Sequence, residues 1–339
     1  MSIREAIAYI VNDRRNLIED EAFAAMHEVF SGAATPAQLG ALLIALRMKG
    51  ESVDEIVGLA KAMREHSRHV QIDGPLLDTC GTGGDGQGTF NVSTAAAFVA
   101  AGAGARIAKH GNRAMTSGCG SADLLEALEA RIDLSPQQVA ECIERTGFGF
   151  MFAQAFHPAM NHAAGPRREL GVRTVFNILG PLTNPARAEH QLLGVPSQEI
   201  APKMAAALQR LDAGHALVVH GHDGIDEISI SGASLVCEVR GDGSRDYSIS
   251  PEDAGLPLGP AEAIRGGSPE QNAAVLMKVL EGERGPIRDV VILNAAAALQ
   301  AADIAPGLKE GARMAQDAVD SGAAKQRLEA WVQLTQSFA

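Results

Sequence analysis

Apolar residues along the first seventy positions recur at helical spacing. Ile3, Ile7 and Ile10 form one such set, and Ala22, Phe23, Met26 and Phe30 form another. Thr35-Pro36 supplies a helix start, with Thr as the cap and Pro in the first turn. Gly50 stops that helix, and Ser52-Val53-Asp54-Glu55 has the form of a capping box for the next. The pattern predicts a small helical bundle running to about His69. Asp73-Gly74-Pro75 then punctuates the chain.

Beyond that break the period changes. Short apolar runs end in glycine loops and are followed by helical patterns. Arg106-Ile107-Ala108, Phe148 to Phe152 and Ala216 to Val219 read as strands; Asp123 to Ala130, Pro202 to Leu211 and Glu270 to Leu280 read as helices. Val290 to Leu299 is equally apolar throughout and fits either a buried strand or a buried helix. Strands alternating with helices predict an α/β fold with a mostly parallel central sheet. The expected architecture is a small N-terminal α-helical domain over residues 1–72, joined by helical residues around 166–185, beside a large α/β domain over residues 73–339.

Composition sharpens this picture in two places. Aromatics are 4% of the 339 residues while hydrophobic residues are 46%, so the core is built mainly from aliphatic side chains. The net charge of −12 sets the surface as a whole against nucleic acid and anionic membranes, and requires that any anionic ligand meet a local cationic pocket. Four scattered cysteines, Cys80, Cys119, Cys142 and Cys237, form no CxxC pair and predict a reduced, cytoplasmic protein without disulfides or a cysteine zinc site. The apolar run from Ala95 to Ala105 is too short to span a bilayer.

The candidate chemistry begins at Gly81. Five glycines fall among the eight residues Gly81–Gly88, just before an alanine-rich run with helical character. The letters GTGGDG match a dinucleotide fingerprint, yet the acidic residue expected about twenty positions later is missing. No Asp or Glu occurs from Gly86 to Ala122, while Arg106, Lys109, His110 and Arg113 do. No GK[ST] follows, so the loop is not a Walker motif. Glycines let main-chain amides approach a ligand closely, and a helix beginning at Asn91, Ser93 or Thr94 directs free N–H groups and a positive dipole end at it. The expectation is a phosphate site, with those side chains capping the helix.

A second polar cluster, KHGNRAMTSGCGSAD, runs from Lys109 to Asp123. Together GTGGDGQGTFNVST, KHGNRAMTSGCGSAD, HPAMNHAAGPRRELGVRTVFNILGPLTNP and VHGHDGIDEIS resemble, in order and spacing, the motifs of the anthranilate phosphoribosyltransferases. The likeness extends over essentially the whole chain. It implies a homodimeric enzyme that transfers phosphoribose from phosphoribosyl diphosphate to the amine of anthranilate in tryptophan biosynthesis.

Residue by residue, the resemblance assigns the donor site to Gly81, Gly84, Asp85, Thr89, Asn91, Val92, Ser93, Thr94, Lys109, His110, Gly111, Asn112, Arg113, Ala114, Met115, Thr116, Ser117 and Ser121. It assigns anthranilate to Gly81, Asn112 and Arg167, and Mg2+ to Ser93, Asp226 and Glu227. His110, His157 and Pro181 stand at positions that line the acceptor path in relatives. The chain departs from the family pattern over Thr116 to Cys119, which more often reads Ser-Ser-Lys-Ser; Gly118 here removes a cationic side chain.

These residue types suit the reaction. A diphosphate leaves with added negative charge, which a divalent ion across its oxygens stabilises. Mg2+ takes oxygen ligands, so Asp226-Glu227, with Asp223 in the same loop, is preferred to the His220/His222 pair. An aromatic amine is neutral at pH 7 and needs no strong base, while its carboxylate suits the planar fork of Arg167 rather than Arg168 by the same resemblance. NILGPLTNP, with two prolines, is expected as a rigid connection between the lobes. Two other readings remain at this point: a pyrimidine nucleoside phosphorylase, which would not need the acidic pair, and a catalytically idle relative that binds nucleic acid.

Overall fold

A computed structural model describes residues 1–114 and 118–338. Met115, Thr116 and Ser117, assigned above to the donor site, lie outside the described residues.

The chain opens with α1 (Ile3–Asp13), α2 (Glu19–Phe30), α3 (Pro36–Lys49) and α4 (Val53–Glu65). The expected punctuation holds. The Thr35 hydroxyl accepts from Gln38 N at 3.2 Å with Pro36 in the first turn, and Ser52 accepts from Glu55 N at 3.3 Å. Glu55 does more than close its capping box. Its carboxylate is fully buried and accepts from Leu17 N at 2.9 Å, Ser52 N at 2.8 Å and Lys49 Nζ at 2.8 Å.

Seven strands follow among helices: β1 (Leu77–Gly81), β2 (Ile107–Gly111), β3 (Phe148–Phe152), β4 (His190–Gly194), β5 (His215–Gly221), β6 (Ser234–Arg240) and β7 (Gly243–Ile249). The intervening helices are α5 (Val92–Gly102), α6 (Ser121–Ala127), α7 (Pro136–Thr146), α8 (Ala153–Phe156), α9 (Asn161–Leu170), α10 (Phe176–Leu179) and α11 (Ala201–Arg210). After the sheet come α12 (Pro269–Leu280), α13 (Pro286–Ala301), α14 (Leu308–Asp320) and α15 (Ala323–Ser337). The ambiguous run at Val290 therefore lies within α13. Its apolar character reflects burial on all sides, which leaves no amphipathic period to read.

The sheet runs β3-β2-β1-β4-β5-β6-β7. The first five strands are mutually parallel, and β6 and β7 are added antiparallel. Side chains alternate between two cores. Leu192, Leu217 and Val219 face one built with α5 and α13, whereas Leu193, Ala216 and Val218 face another. The second core continues through α11 into α1–α4 and takes in Ala163, Val175, Phe176, Ile178, Leu179 and Leu182. The rare aromatics are concentrated in the first core, where Phe98 stacks on Phe148 at 4.1 Å between centroids and Trp331 meets Phe148 edge-on at 4.9 Å. Among the described residues no helix is long and apolar enough to cross a membrane, and all four cysteines are free and buried.

Strand order reverses at β1, which lies between β2 and β4. The connections leaving β1 and β4 therefore diverge and open a crevice at the carboxyl edge of the sheet, where ligands bind in open α/β folds. The glycine loop leaves β1 at that point.

Candidate active site

The loop from Gly81 to Gly88 joins β1 to α5. Gly83, Gly84, Gly86 and Gly88 all have positive φ, between 62° and 75°, a region costly for other residues. Arg173 secures the loop by donating to the carbonyls of Gly83, at 3.0 Å, and Gly84. Its guanidinium thus occupies the carbonyl oxygens that would otherwise repel an anion.

Asn91 takes the capping position of α5, but its side chain does not cap. Its Nδ2 donates to Cys119 O at 3.0 Å and its Oδ1 accepts from Asn272 Nδ2 at 2.9 Å. Neither Ser93 nor Thr94 fills the vacancy: the Ser93 main-chain N–H donates to Glu227 Oε1 at 3.0 Å, and Thr94 is buried inside the helix. The expected hydroxyl or amide cap is replaced by a carboxylate arriving from after β5. Thr89 pairs with Arg265 in an isolated bridge, and Val92 is buried.

Asp226 and Glu227 reach this place because the chain there packs against glycines ending β1 and β4. A Cβ on Gly81 would meet the Asp226 carboxylate, 2.8 Å from its Cγ, and one on Gly194 would overlap the Asp226 carbonyl. Asp226 Oδ2 accepts from Gly83 N at 2.6 Å. Burial, reinforced by the charge of Asp85, raises the pKa of Asp226; burial, reinforced by Asp226, raises that of Glu227. Asp85 Oδ2 is buried with no hydrogen-bond partner. The third carboxylate of the group is therefore Asp85. Asp223 accepts through Oδ2 from the hydroxyls of Ser229 at 2.8 Å and Ser231 at 2.7 Å, while its Oδ1, like Asp85 Oδ2, is buried without a partner; it is Asp85 whose charge acts on both Asp226 and Glu227. His220 is likewise engaged, 2.9 Å from Val195 O.

Lys109 projects from β2 and is 2% exposed. Its ammonium donates to Thr79 O and lies 3.4 Å from Ser93 Oγ. Burial lowers its pKa, opposed by the charges of Asp78, Cys80 and Glu227. Asp78, not anticipated from the sequence, is wholly buried beneath it. Asp78 accepts from Asn184 Nδ2 at 2.8 Å and His110 N at 3.2 Å, and burial pushes its pKa up to about 6. Asp78 directly precedes Thr79 and Asn184 lies in NILGPLTNP, but nothing in their local spacing announces that they meet.

The second cluster folds around Asp123. That carboxylate accepts from Ala114 N at 2.8 Å and Gly120 N at 2.9 Å, closing the loop before α6. Gly111 ends β2 against Ser121, whose hydroxyl donates to Asn112 O at 3.3 Å. Arg113 turns away from this group. Its guanidinium pairs with Asp123 at 3.4 Å and with Glu126. Local carboxylates on α6 satisfy it first.

Arg167 is half-buried on α9, 4.9 Å above the Phe176 ring. Burial lowers its pKa, and no acidic side chain among the described residues pairs with it. His110 and His157 lie with ring centroids 5.0 Å apart. Burial pushes them down to about 3 and about 4, so both are neutral at pH 7. His110 Nε2 and both ring nitrogens of His157 lack partners.

The crevice thus combines main-chain amides, a buried lysine and three carboxylates. A glycosyl transferase family helical bundle domain matches residues 4–67, and a glycosyl transferase family a/b domain matches residues 73–325. The chain is 58% identical over 330 residues to the anthranilate phosphoribosyltransferase of Chloroflexus aurantiacus, covering 97% of each. It is 55% identical over 335 residues to that of Herpetosiphon aurantiacus, covering 98% of this chain and 99% of the relative. Among solved structures, the Thermus thermophilus enzyme superposes with a TM-score of 0.93 at 48% identity over 99% of both chains. The Saccharomyces cerevisiae enzyme in complex with PRPP and Mg gives 0.91 at 31% identity, over 99% of this chain and 98% of that one. By sequence over its whole length, and by fold, the chain belongs to the anthranilate phosphoribosyltransferases, which are glycosyl transferases.

Proposed function

We propose that this chain transfers 5-phosphoribose from phosphoribosyl diphosphate to the amine of anthranilate, releasing diphosphate. The observation that carries the reading is the meeting of Asp85, Asp226 and Glu227 with the glycine loop and Lys109 at the strand-order reversal. Buried acids with raised pKa values and an unpartnered oxygen are poorly compensated by one lysine, and oxygen donors of this kind suit Mg2+. In this reading Ser93, Asp226 and Glu227 hold the ion, with Asp85 beside them. The bound ion supplies charge neutralisation for the departing diphosphate.

The chain's own groups do the rest. The loop amides and Lys109 bind the anionic donor in a crevice that an acidic surface would otherwise deny it. Arg167 accepts the anthranilate carboxylate and orients the amine towards the ribose. The neutral imidazoles of His110 and His157 offer polar contacts along the acceptor side without adding charge. No side chain need remove a proton before attack, because the aryl amine is already uncharged. Positioning and leaving-group stabilisation account for the rate.

The same proposal includes the division at residues 72 and 73, with the segment around 166–185 returning to the helical lobe. Its buried residues Val175, Phe176, Ile178 and Leu179 share that lobe's core. It also includes a homodimer, consistent with Tyr9, Val11, Ile18 and Met48 standing exposed on the helical lobe, and a cytoplasmic location, consistent with four free cysteines.

Loss of anthranilate fluorescence on adding donor and Mg2+ tests the reading. The expected result is turnover that requires all three components. Cleavage of a pyrimidine nucleoside by inorganic phosphate, with no anthranilate consumed, would replace it with the phosphorylase alternative.

A further inference from the structure

Helices α2 and α4 touch at the level of their backbones. A Cβ on Gly58 would lie 2.9 Å from both Ala22 Cβ and Phe23 N and would run into the Glu19 carbonyl, so only glycine permits this approach. The approach brings the C-terminal turns of both helices together. His27 lies in the last turn of α2, Glu65 ends α4 and His66 is its C-cap. His66 Nε2 is 3.1 Å from His27 Nδ1, and His27 Nδ1 is 3.6 Å from Glu65 Oε1. One ligand atom from each of the three lies within 4.8 Å of the other two. The phosphoribosyl chemistry uses none of them.

We propose that His27, Glu65 and His66 bind a divalent transition-metal ion of the zinc class at the end of the helical lobe. Two imidazoles and one carboxylate are a zinc donor set that leaves a fourth position for water. With Zn–N and Zn–O bonds of about 2.0–2.2 Å, tetrahedral donors stand about 3.3–3.6 Å apart. The two measured separations match that spacing to within a few tenths of an ångström. Hydrogen bonding alone accounts for the cluster less well. One His–His hydrogen bond accounts for the 3.1 Å contact but leaves Glu65, 3.6 Å from the same nitrogen, beyond hydrogen-bond reach.

The surroundings favour a cation. Two helix C-termini converge there, each carrying partial negative charge on its last carbonyls. The nearby cations on α4 are engaged elsewhere: Lys61 with Glu19, and Arg64 with the carbonyls of Leu182, at 2.8 Å, and Leu211, at 3.2 Å. The rings are braced, His27 stacking on Phe23 and His66 tilted against Phe30, each at 5.8 Å between centroids. Ion access is open, since the side chains of His27 and Glu65 are 44% and 54% exposed. Imidazole also separates this site from the active-site acids.

The test uses the full chain carrying Asp85→Asn, Asp226→Asn and Glu227→Gln, so that the active-site acids are silent. Calorimetric titration with Zn2+ should give one equivalent, and Co2+ in its place should give the visible d–d bands of a four- or five-coordinate ion. Adding His27→Ala and His66→Ala should abolish both signals. Glu65→Gln, on an exposed side chain that leaves the lobe intact, should weaken Zn2+ binding by at least about tenfold. Zn2+ should raise the melting temperature of the parent and leave that of the histidine variant unmoved. Failure of the parent to take up either metal, or uptake that survives loss of both histidines, would overturn the proposal. Neither result bears on phosphoribosyl transfer, which the fluorescence assay reads separately.

Discussion

Replacing Gly81 by alanine tests the join between the glycine loop and the acidic pair. The added Cβ would sit 2.8 Å from Asp226 Cγ and 3.1 Å from the Asp226 carbonyl, where ordinary contact begins at 3.4 Å. The carboxyl group must therefore retreat by about 0.6 Å, and by more at Oδ2, which is closer still. Retreat also strains its 2.6 Å bond from Gly83 N. Overpacking of this kind costs about 1–3 kcal/mol of stability. Displacing a metal-binding or positioning group by a sizeable fraction of an ångström costs up to about 100-fold in rate. That factor corresponds to about 3 kcal/mol of transition-state stabilisation. Steady-state rates measured against Mg2+ concentration should show kcat/KM falling by one to two orders of magnitude, with the Mg2+ requirement shifted upwards. Gly40→Ala, in α3 with nothing within 4 Å of the new Cβ, is the matched control and should leave both quantities unchanged. A Gly81→Ala enzyme with unaltered Mg2+ dependence would refute the placement of Asp226 at the metal. A change confined to the KM for anthranilate would confine Gly81 to the acceptor side.

Three further outcomes are expected. Arg167→Ala removes a charged partner for the acceptor carboxylate, an interaction worth about 2 kcal/mol; the KM for anthranilate should rise roughly 30-fold with the donor KM unchanged, and initial-rate kinetics with each substrate varied will check this. Asp226 and Glu227 have folded pKa values raised above their unfolded ones, so the stability they contribute is full below the ordinary carboxylate range and is lost as pH rises towards neutrality. Melting temperatures of the metal-free protein should therefore fall across that window, and Mg2+ or the Asp226→Asn, Glu227→Gln pair should flatten the slope. Glu55→Ala strips the acceptor from Leu17 N, Ser52 N and Lys49 Nζ in a fully buried position, and chemical denaturation should show a loss of about 3 kcal/mol.

Much of the local structure was legible because it follows short-range rules. The Thr35 and Ser52 caps, the Phe148–Phe152 strand and the helices near Pro202 and Glu270 stand where their residues placed them, within a few positions. The glycine loop was legible as well, since four positive-φ residues and an acid-free flank leave marks in one contiguous stretch. What escaped depended on distant partners. The pairing of Arg113 with Glu126 and Asp123, thirteen and ten residues on at the start of α6, was not legible from local spacing. The identity of the third acid followed the same logic. Asp223 is nearer in sequence to Asp226, yet the hydroxyls of Ser229 and Ser231 hold it while Asp85 arrives from the other side of the crevice.

The sequence by itself therefore determined the helical lobe, the alternation of strands and helices, and the glycine loop after β1, because periodicity, caps and turn glycines are encoded within a few positions of where they act. The tertiary structure alone decided that Glu227 caps α5, that Asp78 and Asn184 meet beneath Lys109, and that His27 comes within reach of His66. Each of these contacts joins segments from 39 to 134 residues apart. Such pairs are selected by strand order and by backbone approach at Gly58, Gly81 and Gly194, where the absence of one carbon atom lets two parts of the chain touch.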